Sequence, residues 1–347
     1  MGRVKSLAIV YDRPTYSCGQ WVSGRIVVEL TGRTEVKALK VHAKGEEFVR
    51  WTERHGTGKS KRTRVYTQQL RYFKHKYLMI GTDSSDEVTV LQEGIHEYPF
   101  SLVLPQMPPL PSSFKGTYGH VSYWMTAKLH RPLKLRIKTK EPFTVFNQVD
   151  INTPRLLEPH TAANEKTICC WCCASGPISV KAEVERMGFV AGESIKIFVE
   201  IENHSSRKVV PKAAIVKKTI FHAKTKKKTL SEVVIKTKGE PVLAGQKDSR
   251  NSMMLEIPEL IPTLMNCTII QMDYSIQVTV DIPRAMGLTV DLPIVIGTIP
   301  LHSFGGPASD FNNQYGMNYS NVNHGFPEGS AVEAGFQAGN KSLGYYT

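Results

Sequence analysis

The chain has 347 residues and a mass of 38.8 kDa, enough for two domains that each bury a sizeable core. Its hydrophobic content of 41% and charged content of 22% are typical of a globular protein and exclude a fully disordered chain. The net charge of +13 favours a polyanionic or acidic partner, such as a nucleic acid, an anionic membrane surface, or phosphorylated or acidic protein segments.

Alternation of apolar and polar residues with a period of two dominates the chain. Predicted strands of this kind cover residues 25–30, 36–43, 194–202 and 273–280. Short alternating runs separated by Gly, Pro and Asn are typical of antiparallel sheets with one buried face. Because no long segment shows helical periodicity, we predict an all-β fold built of sandwiches.

The hydropathy of the sequence disfavours a membrane-spanning or secreted protein. The sequence contains no apolar run of the roughly 18–20 residues that a spanning helix needs. The apolar stretch that follows Arg3 and Lys5 is too short for the core of a signal peptide. We therefore expect a cytoplasmic protein whose thiols stay reduced.

The second half of the chain repeats the first. At a constant offset, similar residues recur in the same order: Arg13 and Arg186, Tyr16 and Phe189, Gly19 and Gly192, Val22 and Ile195. Further along, Pro132 aligns with Pro283 at a shorter offset, so the first half carries extra loop length, expected around 54–64 and 83–93. Ordered matches predict two copies of one sandwich. The alternative is the general likeness of all-β sequences.

The composition along the chain suggests the domain boundaries. We place the first domain at residues 1–149 and the second at 166–304. The residues between them, 150–165, have little pattern and two prolines, which indicates a linker. In 305–347 the composition shifts to Gly, Asn, Ser and Tyr without periodic apolar residues, so we expect a disordered tail.

Several separated segments of the sequence resemble arrestins. They include GHVSYW at 119–124, AKLHRP at 127–132, VVPKAAI at 209–215 and LPIVIGTIPL at 292–301. The resemblance covers nearly all of residues 1–304 and points to the α-arrestins, the arrestin domain-containing proteins. It implies an all-β chain of two tandem immunoglobulin-like arrestin β-sandwiches joined by a short linker.

The resemblance also implies a function. Proteins of this family are adaptors rather than enzymes; they bind membrane receptors or transporters as cargo and work with ubiquitin ligases or endosomal sorting proteins. We therefore expect peripheral association with the plasma membrane and endosomes. Family members recruit ligases through Pro-Pro-x-Tyr motifs. Here the sole Pro-Pro pair, Pro108-Pro109, is followed by Leu110 and Pro111, so direct ligase recruitment is not expected.

Motifs for other functions are missing from the sequence. It contains no nucleophile elbow, phosphate loop, dinucleotide fingerprint or paired metal histidines, so we predict no catalytic residue, cofactor or metal site. We do not expect nucleic-acid binding, because aromatic residues are not interleaved with the cations in a recognisable module. The alternative from another class is a small-ligand or lipid carrier that uses a sandwich cavity.

Three sets of cations are candidate sites for anionic membranes or phosphorylated cargo. They are Lys59, Lys61, Arg62 and Arg64; Lys224, Lys226, Lys227 and Lys228; and Lys134, Arg136 and Lys138. Each cation near an anionic surface contributes about 1 kcal/mol to binding. The alternative is that these are solvated charged loops.

Two features suggest lipidation. Four cysteines are clustered: Cys169, Cys170, Cys172 and Cys173. Zinc sites use spaced pairs from two segments, which disfavours zinc here. S-acylation beside a basic surface, a redox switch of vicinal thiols, and a plain strand opening the second sandwich are the other interpretations, and we favour the plain strand. Gly2 fits the N-myristoylation pattern, or leads into the first strand.

Overall fold

The computed structural model describes residues 2–56, 61–81, 88–170 and 173–302, and gives no side-chain detail for 168–175 and 248–250. The predicted disordered tail, 305–347, lies outside the described residues, and so do Lys59 and Cys172. The two β-sandwiches fall within one compact unit that ends at His302. Within the described part of the chain, strands are joined by loops and a single short helix.

The first sandwich has two main sheets. One has the strand order β1-β3-β8, and the other has the order β2-β11-β10-β5-β6, with β9 paired to β10. The short strands β4 and β7 pair with each other. The strands are β1 Val4–Tyr11, β2 Thr15–Tyr16, β3 Trp21–Leu30, β4 Thr34–Val36, β5 Ala38–His55, β6 Arg62–Ile80, β7 Thr89–Leu91, β8 Gly94–Val103, β9 Phe114–Lys115, β10 Gly119–His130 and β11 Ile137–Val145.

The second sandwich has the same plan. Its sheets have the strand orders β12-β13-β15-β18 and β14-β20-β19-β16-β17. A four-residue helix, α1 (Pro154–Leu157), precedes it. The strands are β12 His160–Cys170, β13 Cys173–Val184, β14 Gly188–Val190, β15 Ser194–Asn203, β16 Val210–Ala223, β17 Lys226–Lys238, β18 Gln246–Glu256, β19 Ile270–Asp281 and β20 Leu288–Gly297.

The internal repeat predicted from the sequence is visible in the structure. In each sandwich a short strand pairs in parallel with the last strand, β2 with β11 and β14 with β20. The Arg13 guanidinium lies 5.2 Å from the centre of the Tyr16 ring, and Arg186 lies 4.4 Å from that of Phe189. Both rings are buried, so the aligned residues make the same cation–π contact twice.

The turns that follow these short strands also match. Gly19 has φ +77° and Gly192 has φ +85°, a left-handed backbone that favours glycine. The repeated glycine therefore marks one turn geometry used in both halves. The predicted tandem all-β sandwich fold is confirmed.

The cysteine-rich segment differs from the single strand that we expected. β12 ends at Cys170 and β13 begins at Cys173, and these two residues face each other in the antiparallel pair. The segment therefore belongs to two neighbouring antiparallel strands rather than to one strand. β12 begins at His160, inside the predicted linker 150–165. Likewise β5 and β6 run into the loop expected at 54–64, as Arg54 pairs with Thr63.

A buried carboxylate of the first sandwich binds the second. Glu47 on β5 is 0% exposed, and its side chain accepts hydrogen bonds from consecutive backbone N–H groups before and at the start of β19. The donors are Thr268 at 3.1 Å, Ile269 at 3.0 Å and Ile270 at 2.6 Å. The Tyr72 hydroxyl on β6 donates a fourth bond, at 2.7 Å. We call this arrangement the Glu47 clasp.

The clasp has a neutral thiol beside it. Burial, and then the carboxylate of Glu47, raise the pKa of the Cys267 thiol well above its ordinary range. Burial, followed by the hydrogen bond to Glu47, raises the pKa of the Tyr72 hydroxyl in the same way. Both groups therefore stay protonated, and Tyr72 keeps the proton that it donates to the carboxylate.

The clasp leads to a stability prediction. Glu47→Ala should lower the free energy of unfolding by about 3–5 kcal/mol, because three buried N–H groups and one hydroxyl lose their acceptor. Chemical denaturation measures this change, and hydrogen exchange should become faster at the amides of residues 268–270. The control is Glu46→Ala, which removes a half-buried carboxylate bound by Gln69 and should change stability by about 0.5 kcal/mol. Equal effects of the two substitutions would contradict the assignment.

Candidate functional site

The outer face of one sheet in the first sandwich carries a dense group of lysines. Four strands, β6, β5, β10 and β11, contribute to it. We call this group the basic sheet face, and it comprises Lys40, Lys44, Lys74, Lys76, Lys128, Lys138 and Lys140. Because side chains alternate between the two sides of a strand, cations two residues apart emerge on the same side.

Strand register places these lysines opposite one another. Lys128 on β10 lies between Lys138 on β11 and Lys40 on β5. Lys44 lies opposite Lys74 on β6. Residues directly opposite in an antiparallel pair have Cβ atoms about 4.5–5.5 Å apart, and like charges at that distance destabilise the sheet. The face therefore has a positive potential, and a bound anion would reduce the repulsion between its lysines.

The ionisable groups of the face respond to this potential. The neighbouring ammonium of Lys76 is the main cause that lowers the pKa of Lys74, and burial, followed by Lys138, lowers the pKa of Lys128. His42, which is opposite Lys76, has its pKa lowered to about 4, first by burial and then by the charge of Lys128. His42 is therefore neutral at pH 7.

An aromatic side chain lies within the same face. Trp124 on β10 is opposite Lys44 on β5, and its ring is largely buried. The Lys140 ammonium lies 3.8 Å from the centre of this ring. A cation held over an indole contributes about 0.5–2 kcal/mol, so Lys140 has a defined position on the face.

Two of the predicted cation sets come together where the sandwiches meet. Gln68 on β6 accepts a hydrogen bond of 2.5 Å from the backbone N–H of Lys224, in the turn between β16 and β17. Lys228 on β17 pairs with Glu53 on β5, at 3.6 Å. Glu53 in turn is opposite Arg64 in the register of β5 and β6. The second and first sets are thus adjacent, and Lys228 is an interdomain contact rather than a solvated loop cation.

The other described residues of these two sets lie on the surface. Lys61, Arg62 and Arg64 are exposed at the end of the β5–β6 hairpin. Lys226 and Lys227 are exposed at the start of β17. Both sets are therefore accessible from solvent, while Lys228 is held by the carboxylate of Glu53.

The third predicted set lies at the opposite end of the β5–β10–β11 sheet. Lys134 and Arg136 belong to the loop between β10 and β11, and Lys138 is on β11. Lys138 belongs to the basic sheet face, so this set continues the face to its end. Burial and then the charge of Arg136 lower the pKa of His130 at the end of β10, which is consistent with the cations around it.

Sequence reasoning missed most of the basic sheet face. Lys40, Lys44, Lys74, Lys76 and Lys128 were not among the predicted site residues, because each predicted set was a group of cations close together in one short segment. The signal that could have found them is cationic alternation, since Lys74 and Lys76, like Lys40 and Lys44, are an even number of residues apart. Which strands are neighbours, however, is a property of the tertiary fold.

A groove borders the same sandwich along β1. Within the described residues β1 pairs only with β3, so its other edge is free. The groove has a volume of about 970 Å³ and is lined by residues 9–14, 113–116, 120–123 and 142–144. Tyr11 accepts a hydrogen bond from the Met125 N–H at 3.2 Å and donates one to the Glu141 carbonyl at 2.7 Å. An unpaired strand edge can accept another strand.

The predicted lipidation residues have different environments. The Gly2 N–H donates to the Arg33 carbonyl at 3.1 Å, and a Cβ at Gly2 would clash with the Gly32 carbonyl. Glycine is therefore required by packing at this position, which favours the strand lead-in. Cys169 and Cys170 end β12, Cys173 begins β13, and Cys172 lies outside the described residues. Lipidation at these positions stays a prediction.

The described part of the chain offers neither a metal cluster nor a membrane-spanning helix. There, no group of three or more His, Cys, Asp or Glu side chains could hold a metal ion. In the same residues, no helix has the length and apolar composition that crossing a bilayer requires.

Both halves of the chain match known proteins. Residues 7–152 match the family model of the arrestin (or S-antigen) N-terminal domain, and residues 174–301 match that of the C-terminal domain. The chain is 37% identical over 336 residues to human arrestin domain-containing protein 4, covering 94% of this chain and 79% of that protein. It is 36% identical over 299 residues to human thioredoxin-interacting protein, covering 85% and 75%.

The potential of the basic sheet face can be measured at His42. A titration followed by NMR should give His42 a pKa of about 4. Lys128→Gln should raise that pKa part of the way towards 6.5, because it removes a charge and leaves the burial unchanged. Lys181→Gln on the second sandwich is the control and should leave it unchanged.

The same shift predicts a stability trend. The unfolded chain takes up the His42 proton near pH 6.5, whereas the folded chain does so near pH 4, so this residue lowers stability as the pH falls through that window. His42→Gln should reduce the loss of stability between these two pH values. A His42 that titrates near 6.5 in the wild type would contradict the description of the face.

Proposed function

The chain belongs to the arrestin family as an α-arrestin with an N-terminal and a C-terminal arrestin domain, and we propose that it is a non-enzymatic adaptor in membrane-protein trafficking. In this proposal its cargo is membrane receptors or transporters, recognised through acidic or phosphorylated cytoplasmic segments. The adaptor supports endocytosis and endosomal sorting of that cargo from the cytoplasmic side of the plasma membrane and endosomes.

The observation that carries the proposal is the basic sheet face. Its lysines are arranged in two directions, across the strands at about 5 Å and along each strand at about 6.6 Å for residues two apart. An extended peptide advances about 3.3 Å per residue, so acidic or phosphorylated side chains on alternate residues match the spacing along a strand. Such a segment would relieve the repulsion between Lys128 and Lys138 and between Lys44 and Lys74.

The chemistry of the face also favours phosphorylated over neutral segments. A phosphate carries a charge of about −1.5 to −2 and three acceptor oxygens, and several ammonium groups can share it. The two interdomain sets, around Lys61 and Lys226, extend the positive surface to the second sandwich. Because exposed charges are screened by salt, binding should weaken as the ionic strength rises.

Ubiquitin-dependent regulation of the cargo is assigned to partner proteins. The sequence contains no Pro-Pro-x-Tyr motif. In this proposal the two sandwiches bind the cargo, and ligases or endosomal sorting proteins bind indirectly.

The alternative function, a small-ligand or lipid carrier, would use the groove beside β1. That groove is open to solvent, whereas carriers bury most of the ligand surface, so we favour the adaptor.

The proposal predicts how a cargo-like peptide binds. Lys74→Gln together with Lys76→Gln should weaken binding of a multiply phosphorylated peptide about tenfold, since each cation contributes about 1 kcal/mol before screening. Fluorescence anisotropy at two salt concentrations measures the affinity and its salt dependence. The matched control, Lys181→Gln with Lys196→Gln, removes two exposed charges from the second sandwich and should change affinity less than about twofold. If both double variants lose affinity equally, net charge rather than the face explains binding.

A further inference from the structure

The loop between β10 and β11 exposes two leucines at its tip. Leu133 is fully exposed and Leu135 is 90% exposed. The loop turns sharply, with a hydrogen bond of 3.4 Å from the Lys134 N–H to the Arg131 carbonyl and a left-handed backbone at Leu133, φ 51°. Single exposed leucines are common on protein surfaces. Two of them separated by one residue in a turn, one in a backbone region that leucine disfavours, form an apolar projection with no partner in the described fold.

Cations surround this projection. Arg131, Lys134 and Arg136 belong to the same loop, and the Arg131 guanidinium donates to the Leu135 carbonyl at 3.4 Å. Burial and then the charge of Lys138 and nearby cations, Arg136 among them, lower the pKa of Lys128 behind the loop. The loop is thus an apolar tip on a positively charged base, continuous with the basic sheet face.

We propose that this loop inserts into the interface of a bilayer that contains anionic phospholipids. Leu133 and Leu135 enter the boundary between headgroups and acyl chains, while Lys134, Arg136 and Lys138 contact the headgroup phosphates. Burial of apolar side chains and attraction to anionic lipids are the two contributions that hold proteins at a membrane surface. A convex tip without a pocket fits a fluid bilayer better than it fits a folded partner, because lipids adapt to its shape.

The inference deepens the proposed function and rests on it in one respect. Insertion of the loop would hold the basic sheet face at the membrane surface, where the cytoplasmic segments of cargo emerge. Lipid binding is tested through Leu133 and Leu135, and peptide binding through Lys74 and Lys76, so each can be measured without the other.

The first test is co-sedimentation of the full chain with vesicles of phosphatidylcholine, with and without phosphatidylserine. The wild type should bind the anionic vesicles, and Leu133→Ser with Leu135→Ser should lower the partition coefficient at least about tenfold. Lys134→Gln with Arg136→Gln should lower it about as much on anionic vesicles, through lost attraction. The control is Ile95→Ser, which removes another exposed apolar side chain, 67% exposed and opposite Glu29; it should change binding less than about twofold.

A second measurement detects insertion itself. Leu133→Trp should add fluorescence that brominated phosphatidylcholine, mixed with phosphatidylserine, quenches more strongly than it quenches the native tryptophans. Unquenched fluorescence, or wild-type binding by the double leucine variant, would overturn the inference. A wild-type dimer in vesicle-free solution that is absent in the double leucine variant would also overturn it, because the leucines would then contact a second copy.

The two proposals can be distinguished by their outcomes. If the double leucine variant no longer binds vesicles but still binds the phosphorylated peptide, both proposals stand. If the wild type binds the peptide and does not bind vesicles, only the membrane inference fails.

Discussion

The buried carboxylate of Glu47 is the interaction on which the arrangement of the two sandwiches depends. A charge withdrawn from water costs several kcal/mol unless hydrogen bonds replace its hydration. Here three consecutive backbone N–H groups of the second sandwich and one hydroxyl of the first supply those bonds. Four donors can satisfy this carboxylate only when residues 268–270 lie against β5, so the clasp selects one relative position of the domains.

The same strand connects this clasp to the candidate binding surface. β5 carries Lys40, His42 and Lys44 before it reaches Glu47. The position of the basic sheet face relative to the second sandwich is therefore fixed by Glu47, which follows Lys44 on β5. The β16–β17 turn is held in the same way, by Gln68 and Glu53, which places its cations beside those of the β5–β6 hairpin.

The basic sheet face is built at a cost to stability that the fold can bear. Lysines lie opposite lysines, and burial and positive charge keep His42 neutral. The apolar core beneath, with Val41 and Ala43 fully buried, holds the strands in spite of this repulsion. An anionic ligand lowers the repulsion between the lysines, and this reduction in repulsion is also what favours binding of the ligand.

The sequence allowed the fold to be predicted, since both signals can be read along the chain without knowing which strands are neighbours. These signals are the period-two alternation and the repeat of Arg13 and Tyr16 at Arg186 and Phe189. The sequence could not reveal the clasp, because three of the four partners of Glu47 are backbone groups more than 200 residues away. The lysine pairs and the pairing of Cys170 with Cys173 likewise depend on which strands become neighbours.

Proximity labelling in cells tests the central claim most directly. The full chain, fused to a labelling enzyme, is compared with its Lys74→Gln, Lys76→Gln variant at equal expression. We predict that the wild type labels membrane receptors or transporters together with endosomal sorting proteins, and that the variant loses most of that labelling. Identical membrane-protein labelling by both chains, or labelling confined to soluble metabolic enzymes, would contradict an adaptor that recognises its cargo through this face.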